Sequence, residues 1–167
     1  MNKVSVWSGS PDSPLAPEGH DQAKSAGQKA KDRGLTFDLI ISSPRQRAYD
    51  TAKYVAQAVG YPVDKIMVMD EIVERDFGSL EGRRDLVAAT HYALKESAID
   101  GHSGVEKLGD LQKRANNFYE FIASRPEEVI LVAGHGAFGR ALYRRIHNKP
   151  MGYRFKIFKN ADMERLI

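Results

Sequence analysis

Apolar positions in this chain alternate between short runs and longer stretches in which they recur three or four residues apart. Lys3 to Trp7 reads as a first short strand, followed by a loop through Gly9, Pro11, Asp12 and Pro14, with Pro17 at a first helical position. The helix predicted from there to about Arg33 carries Ala23, Ala26 and Ala30 on one face, small side chains that let it lie close against a sheet. Gly34 ends it. Asp38 to Ser43 is an apolar strand running into Ser43-Pro44, an N-cap and first-turn proline, after which Ala48, Ala52, Val55 and Val59 recur at helical spacing up to Gly60. Lys65 to Met69 is a third strand, and Asp70 to Gly82 reads as a loop too polar and glycine-rich to be a buried element.

The second half repeats the pattern. Asp85 to Gly104 is helical in its middle and ends as a loop at Gly101, His102, Ser103 and Gly104. Leu108, Leu111, Ala115, Phe118 and Ile122 mark the apolar face of a helix over Val105 to Ala123, stopped by Pro126. Val129 to Ala133 is a buried strand that meets Gly134-His135-Gly136 and a helix carrying Phe138, Ala141, Leu142 and Ile146; Tyr153 to Ile167 alternates as edge strands. Strands alternating with helices predict an α/β three-layer sandwich, a mostly parallel central sheet with helices on both faces. Ligands of such sheets sit beyond the carboxyl ends of strands. That rule selects three turns: Ser8-Gly9, Ser43 to Arg47, and Gly134-His135-Gly136.

Composition narrows the setting without naming a partner. The 167 residues suit one domain, 1–167, and the formal charge of +3 comes from acids and bases mixed along the chain, which favours a soluble protein over a polyelectrolyte binder. There is no cysteine, so disulfides and thiolate metal sites are excluded. Met1 to Ser10 lacks the apolar region of a signal peptide, and no apolar run approaches the ~20 residues that cross a bilayer. The expected location is cytoplasmic, with no membrane partner.

Candidate chemistry lies in the three turns and the acidic loop. Arg47, in the first turn of its helix, can meet an anion drawn to free backbone amides at that helix end. His135 is bracketed by glycines, so imidazole and the Gly136 backbone can both approach a ligand closely. Glu74 and Glu81 flank Phe77-Gly78, where a carboxylate could act as general acid, although an acidic loop is more often a solvated surface.

Four segments in order resemble the motifs of one family: Pro14-Leu15-Ala16-Pro17-Glu18-Gly19 with Gln22-Ala23; Ser42-Ser43-Pro44-Arg45-Gln46-Arg47-Ala48-Tyr49-Asp50-Thr51-Ala52; Glu74-Arg75-Asp76-Phe77-Gly78-Ser79-Leu80-Glu81-Gly82; and Val132-Ala133-Gly134-His135-Gly136. They are similar to those of the histidine phosphatase superfamily and span nearly the whole chain. The resemblance implies a phosphoglycerate mutase-like fold and a two-step transfer, in which a histidine at the end of the first strand attacks phosphorus and the phosphohistidine is hydrolysed. It implies Arg47 on the phosphoryl oxygens, with Ser8, Gly9 and Gly136 around them, His135 as second pocket histidine, and Glu74 as the acid for the leaving group. No metal or cofactor is implied.

At the first motif the family shows Arg-His-Gly-Glu and this chain shows Trp7-Ser8-Gly9-Ser10. His20, His91, His102 and His147 all lie outside the matching positions. A serine hydroxyl needs a base that imidazole does not. The favoured reading is therefore a divergent member that binds a phosphorylated small molecule or phosphoprotein with impaired catalysis. A second is an active phosphomonoesterase in which Ser8, water or His135 takes over the attack. A third is a scaffold or nucleic-acid contact through Arg140, Arg144, Arg145, Lys149, Arg154, Lys156 and Lys159, disfavoured because such residues mostly form a solvated face.

Overall fold

Four residues, Leu39–Ser42, form the middle strand β1, and every one of them is buried. In the computed structural model, which describes residues 6–9, 12–151, 160, 161, 163 and 165, β1 is flanked by two parallel partners. β2 (Met67–Val68) sets Met67 opposite Ile41, and β3 (Ile130–Ala133) sets Val132 opposite the same residue, giving the order β2-β1-β3. Parallel neighbours need crossovers, which the helices supply. Of α1 (Pro17–Asp32), α2 (Gln46–Val59), α3 (Leu86–Leu94), α4 (Leu108–Ala123) and α5 (Gly136–Ile146), α2 connects β1 to β2 and α3 and α4 lie between β2 and β3. No helix among the described residues is long and apolar enough to cross a membrane.

Strand period two divides β1 between two cores. Leu39 and Ile41 pack with Leu111, Phe118, Phe138 and Leu142 of α4 and α5. On the opposite face Ile40 packs with Ala52 and Ala56 of α2, beside a cluster of Ala26, Ala30 and Val55. The result is the three-layer α/β arrangement, with a further cluster of Trp7, Phe77, Leu80, Tyr92 and Ile99 beside it.

Several boundaries differ from the sequence reading, each for a physical reason. Helix α2 begins at Gln46 with extended Arg45 as its N-cap, not at Ser43-Pro44. The Ser43 hydroxyl is occupied elsewhere, and Asp12 of the distant loop caps the helix by accepting from the Gln46 amide at 2.8 Å. The small face of α1 meets α2 more than the sheet: a Cβ added at Gly27 would stand 2.8 Å from the Tyr54 carbonyl oxygen. The acidic stretch after Met69 is not all solvated, because Ile72, Arg75, Phe77 and Leu80 are buried between short 3-10 turns at Asp70–Ile72 and Gly78–Leu80. β3 is half-buried rather than buried, with β1 as its one strand partner among the described residues.

The helix over Val105 to Ala123 starts at Leu108, and the middle of Asp85 to Gly104 is α3 plus a 3-10 turn at Glu96–Ile99. Of the third predicted strand only Met67–Val68 pairs. The strand predicted at Lys3 to Trp7 is described only at Val6 and Trp7, which are not in a strand; Tyr153 to Ile167 lies almost wholly outside the described residues. Arg140 and Arg144 are only 6% and 3% exposed, so they do not belong to a solvated basic face. Glu96 pairs with both guanidiniums, and Arg140 also donates to the Tyr92 hydroxyl at 2.7 Å.

Candidate active-site crevice

Gly9 is where the chain crosses its own loop. A Cβ at Gly9 would stand 2.0 Å from the Arg75 carbonyl oxygen and 2.8 Å from both Glu81 Oε1 and the Phe77 ring, so no side chain fits. Its amide donates to both carboxylate oxygens of Glu81, at 3.1 and 2.9 Å, while Oε1 also accepts from the Phe77 amide. Glu81 therefore fastens its own loop to the turn at Gly9 and is not an acid poised over a ligand. Ser8, one residue earlier, is exposed. Trp7 turns the other way, with its ring centroid 4.8 Å from Phe77 and 5.3 Å from Tyr92, and its backbone bonded to Arg83 and Gly82.

Arg47 lies in the first turn of α2 and donates through Nη2 to the Gly9 carbonyl at 3.2 Å. This joins two of the predicted turns. Burial lowers the Arg47 pKa from its ordinary value, Arg45 lowers it further, and the carboxylates of Glu74, Asp12 and Glu81 act the other way.

The third turn supplies His135, the extended N-cap of α5. Its Nε2 lies 2.9 Å from the Ser43 hydroxyl, which also accepts from the Arg45 amide at 3.3 Å. Burial pushes the imidazole pKa down from 6.5 to about 3, helped by the positive fields of Arg47, Arg45 and Arg114 and opposed by Asp12. At neutral pH the ring is uncharged. The positive charges that act on this neutral ring are thus those of Arg47, Arg45 and Arg114.

Glu74 sits across the start of α5. Its Oε1 accepts from the amides of Ala137 (3.0 Å), Phe138 (3.3 Å) and Arg75 (2.9 Å), and its Oε2 from Ala137 at 3.3 Å. A carboxylate at a helix N-terminus answers donors that have no intrahelical acceptor and favours the helix dipole. Next to it Arg75 is fully buried and donates to the carbonyls of Glu96 and Glu106, both at 2.8 Å, and to Asp100 at 2.5 Å. That anchor fixes where Glu74 can point. Gly136 opens α5, where a Cβ would come within 3.4 Å of Arg140 Nη1.

Gly9, Arg47, Glu74 and His135 thus surround one crevice, with Ser8 on its exposed rim. Beside it lies a hollow of about 240 Å³ lined by Arg45, Val73, Glu74, Asp76, Glu106 and Arg114. The sequence reading passed over Arg45, because an arginine next to a helix start reads as solvated, and over Asp12, whose capping role joins positions 34 residues apart. The sequence sets Arg114 eight residues after Glu106, a spacing that by itself assigns it no role. The remaining histidines lie elsewhere: His20 meets the Tyr54 hydroxyl at 3.0 Å, His147 stacks on Tyr143, and His91 and His102 are exposed.

The profile of the histidine phosphatase superfamily (branch 1) matches residues 1–166. The chain is 32% identical over 158 residues to the 2,3-bisphosphoglycerate-dependent phosphoglycerate mutase of Mesorhizobium japonicum, covering 89% of this chain and 76% of that protein. The mutase of the same description from Brucella canis is 31% identical over 150 residues, covering 84% and 73%. Among solved structures, mycobacterial glucosyl-3-phosphoglycerate phosphatase complexed with VO3 superimposes with a TM-score of 0.75 at 24% identity, covering 88% of this chain and 76% of that one. The α-ribazole phosphatase of Shigella flexneri gives 0.71 at 24%, covering 87% and 73%. These structural likenesses establish the fold.

Proposed function

The chain belongs to the histidine phosphatase superfamily, and from that premise we propose that it binds a phosphate monoester at Arg47 and His135 but carries out phosphoryl transfer poorly or not at all. The observation that carries this reading is the fate of the imidazoles. Of five histidines only His135 faces the crevice, and its Nε2 is engaged with Ser43. By the resemblance of the first motif, exposed Ser8 stands where the family's attacking histidine would be.

Chemistry at Ser8 needs a base to take the hydroxyl proton. His135 is turned to Ser43 and weakened as a base by burial among arginines; Glu74 is committed to amides of α5 and Arg75. Neither is shown reaching Ser8. In a serine protease, loss of the nucleophile costs on the order of a millionfold in turnover. Binding is a separate matter: the Arg47 guanidinium and the uncharged imidazole can meet phosphoryl oxygens, whereas the start of α5 is taken up by Glu74.

The test is turnover of p-nitrophenyl phosphate by wild type, Ser8→His and His135→Ala, with thermal shift in phosphate and vanadate. The proposal expects melting to rise with either anion, negligible wild-type turnover, and measurable turnover in Ser8→His. Wild-type turnover that disappears in His135→Ala would instead establish an active phosphomonoesterase with an unusual attacking group, and no thermal shift with either anion would remove the binding reading.

A further inference from the structure

Helix α3 is apolar on two opposite faces, and only one of them is covered. Ala88 and Tyr92, one turn apart, are buried against Trp7, Phe77 and Ile99. On the far side Leu86 and Leu94, two turns apart, and Val87 beside Leu86 are 70%, 70% and 67% exposed, with exposed Thr90 between them. A surface helix ordinarily sets polar residues opposite its buried stripe, and one that is apolar all round is normally enclosed. Three of the six large hydrophobic side chains exposed among the described residues stand on these nine residues, so the exposure is concentrated rather than scattered.

Charge says what covers this face. Arg83 and Arg84 precede the helix and Lys95 follows it; all three are exposed, and among the described residues no carboxylate pairs with any of them. The neighbouring acids are occupied: Asp85 caps α3 by accepting from the Ala88 amide at 2.9 Å, and Glu96 is buried between Arg140 and Arg144. Free charge at both ends of the apolar face is therefore positive. Two copies meeting through it would bring cations together with no acid to answer them. Three side chains also offer only a few hundred Å², against about 800 Å² per partner in a standard protein–protein interface. An anionic lipid surface needs neither that area nor a matching shape: apolar side chains enter the headgroup boundary while cations meet the lipid anions. The expectation of no membrane partner rested on spanning length, which a helix lying in the plane of the interface does not need.

We propose that α3 is a peripheral membrane contact: Leu86, Val87 and Leu94 enter the surface of an anionic lipid layer, and Arg83, Arg84 and Lys95 hold its headgroups. The contact is independent of the phosphate-binding reading above.

Co-sedimentation with sucrose-loaded vesicles at physiological ionic strength tests this, using phosphatidylcholine alone and phosphatidylcholine with about one-third phosphatidylserine. Wild type is expected to partition onto the anionic vesicles about tenfold or more better than onto the neutral ones. Leu86→Gln/Val87→Gln/Leu94→Gln and, separately, Arg83→Gln/Arg84→Gln/Lys95→Gln should each lower that partition about tenfold or more. All six positions are exposed, so both variants should melt close to wild type, and the second leaves every residue of the helix in place. Partition that is absent in wild type, equal on the two vesicle types, or retained in either variant overturns the proposal. Inorganic phosphate at matched ionic strength should leave the partition unchanged; displacement by phosphate assigns the headgroups to the Arg47 crevice and overturns it. A wild type that sediments as a dimer and becomes monomeric in Leu86→Gln/Val87→Gln/Leu94→Gln gives the face to a second copy and overturns it too.

Discussion

His135 gives the protein an acid-labile component that can be measured apart from everything else. Its pKa in the folded chain is about 3 against an ordinary 6.5, and at about 1.4 kcal/mol for each pH unit the difference is worth roughly 5 kcal/mol. Above pH 6.5 both folded and unfolded chains hold a neutral ring, so the full stability is present. As pH falls below 6.5 the unfolded chain takes up a proton that the folded site refuses, and stability drains until the pH nears 3. Replacing His135 with Gln removes the titration and keeps a polar atom near Ser43. Urea unfolding, followed by the fluorescence of the single tryptophan, Trp7, is compared for the two proteins between pH 7 and 4. Carboxylates titrate in both, so the difference between the curves isolates the imidazole. Wild type is expected to lose ground on the variant by about 2 kcal/mol at pH 5 relative to pH 7. Phosphate should shrink that loss, since an anion among the three arginines favours imidazolium. Parallel curves down to pH 4 would refute the buried, arginine-crowded environment assigned to this ring.

Other substitutions probe the frame around the crevice. Gly9→Ala should destabilise by more than about 2 kcal/mol in urea, because its Cβ would collide with backbone at Arg75 and cannot be relieved by a side-chain move. Glu96→Ala, which strands the buried guanidiniums of Arg140 and Arg144, should cost about 3–5 kcal/mol by the same assay. Ser8→His, at an exposed position, should leave the melting temperature nearly unchanged, whereas Trp7→Arg should lower stability by several kcal/mol by placing a charge against Phe77 and Tyr92; equal melting temperatures would contradict the burial of Trp7. Gly27→Leu should loosen α1 from α2 and lower the urea midpoint, since even a Cβ there meets the Tyr54 carbonyl at 2.8 Å.

The fold was readable because its signals are local. The four buried residues of β1, the small face of α1 and the apolar stripe of α4 each announce their element through period and composition. Arg47 and His135 were readable because each stands at a strand-to-helix turn that the topology singles out. What escaped depends on partners far away in the chain. Arg140 and Arg144 read as a basic surface until Glu96, 44 and 48 residues away, enters between them. Asp12 caps α2 across 34 residues, displacing the expected role of Ser43. Arg45 could not be told from a solvent-facing arginine, because only the acceptors missing around its Nε set it apart.

Trp7 lends the crevice a mechanical property. Its amide and carbonyl are tied to Arg83 and Gly82, immediately before α3, and its ring leans on Tyr92 of that helix. The turn bearing Ser8 is therefore carried by the segment over residues 82–94. A displacement of α3 would therefore be passed to Ser8 through Trp7, so the helix and the turn behave as one mechanical unit.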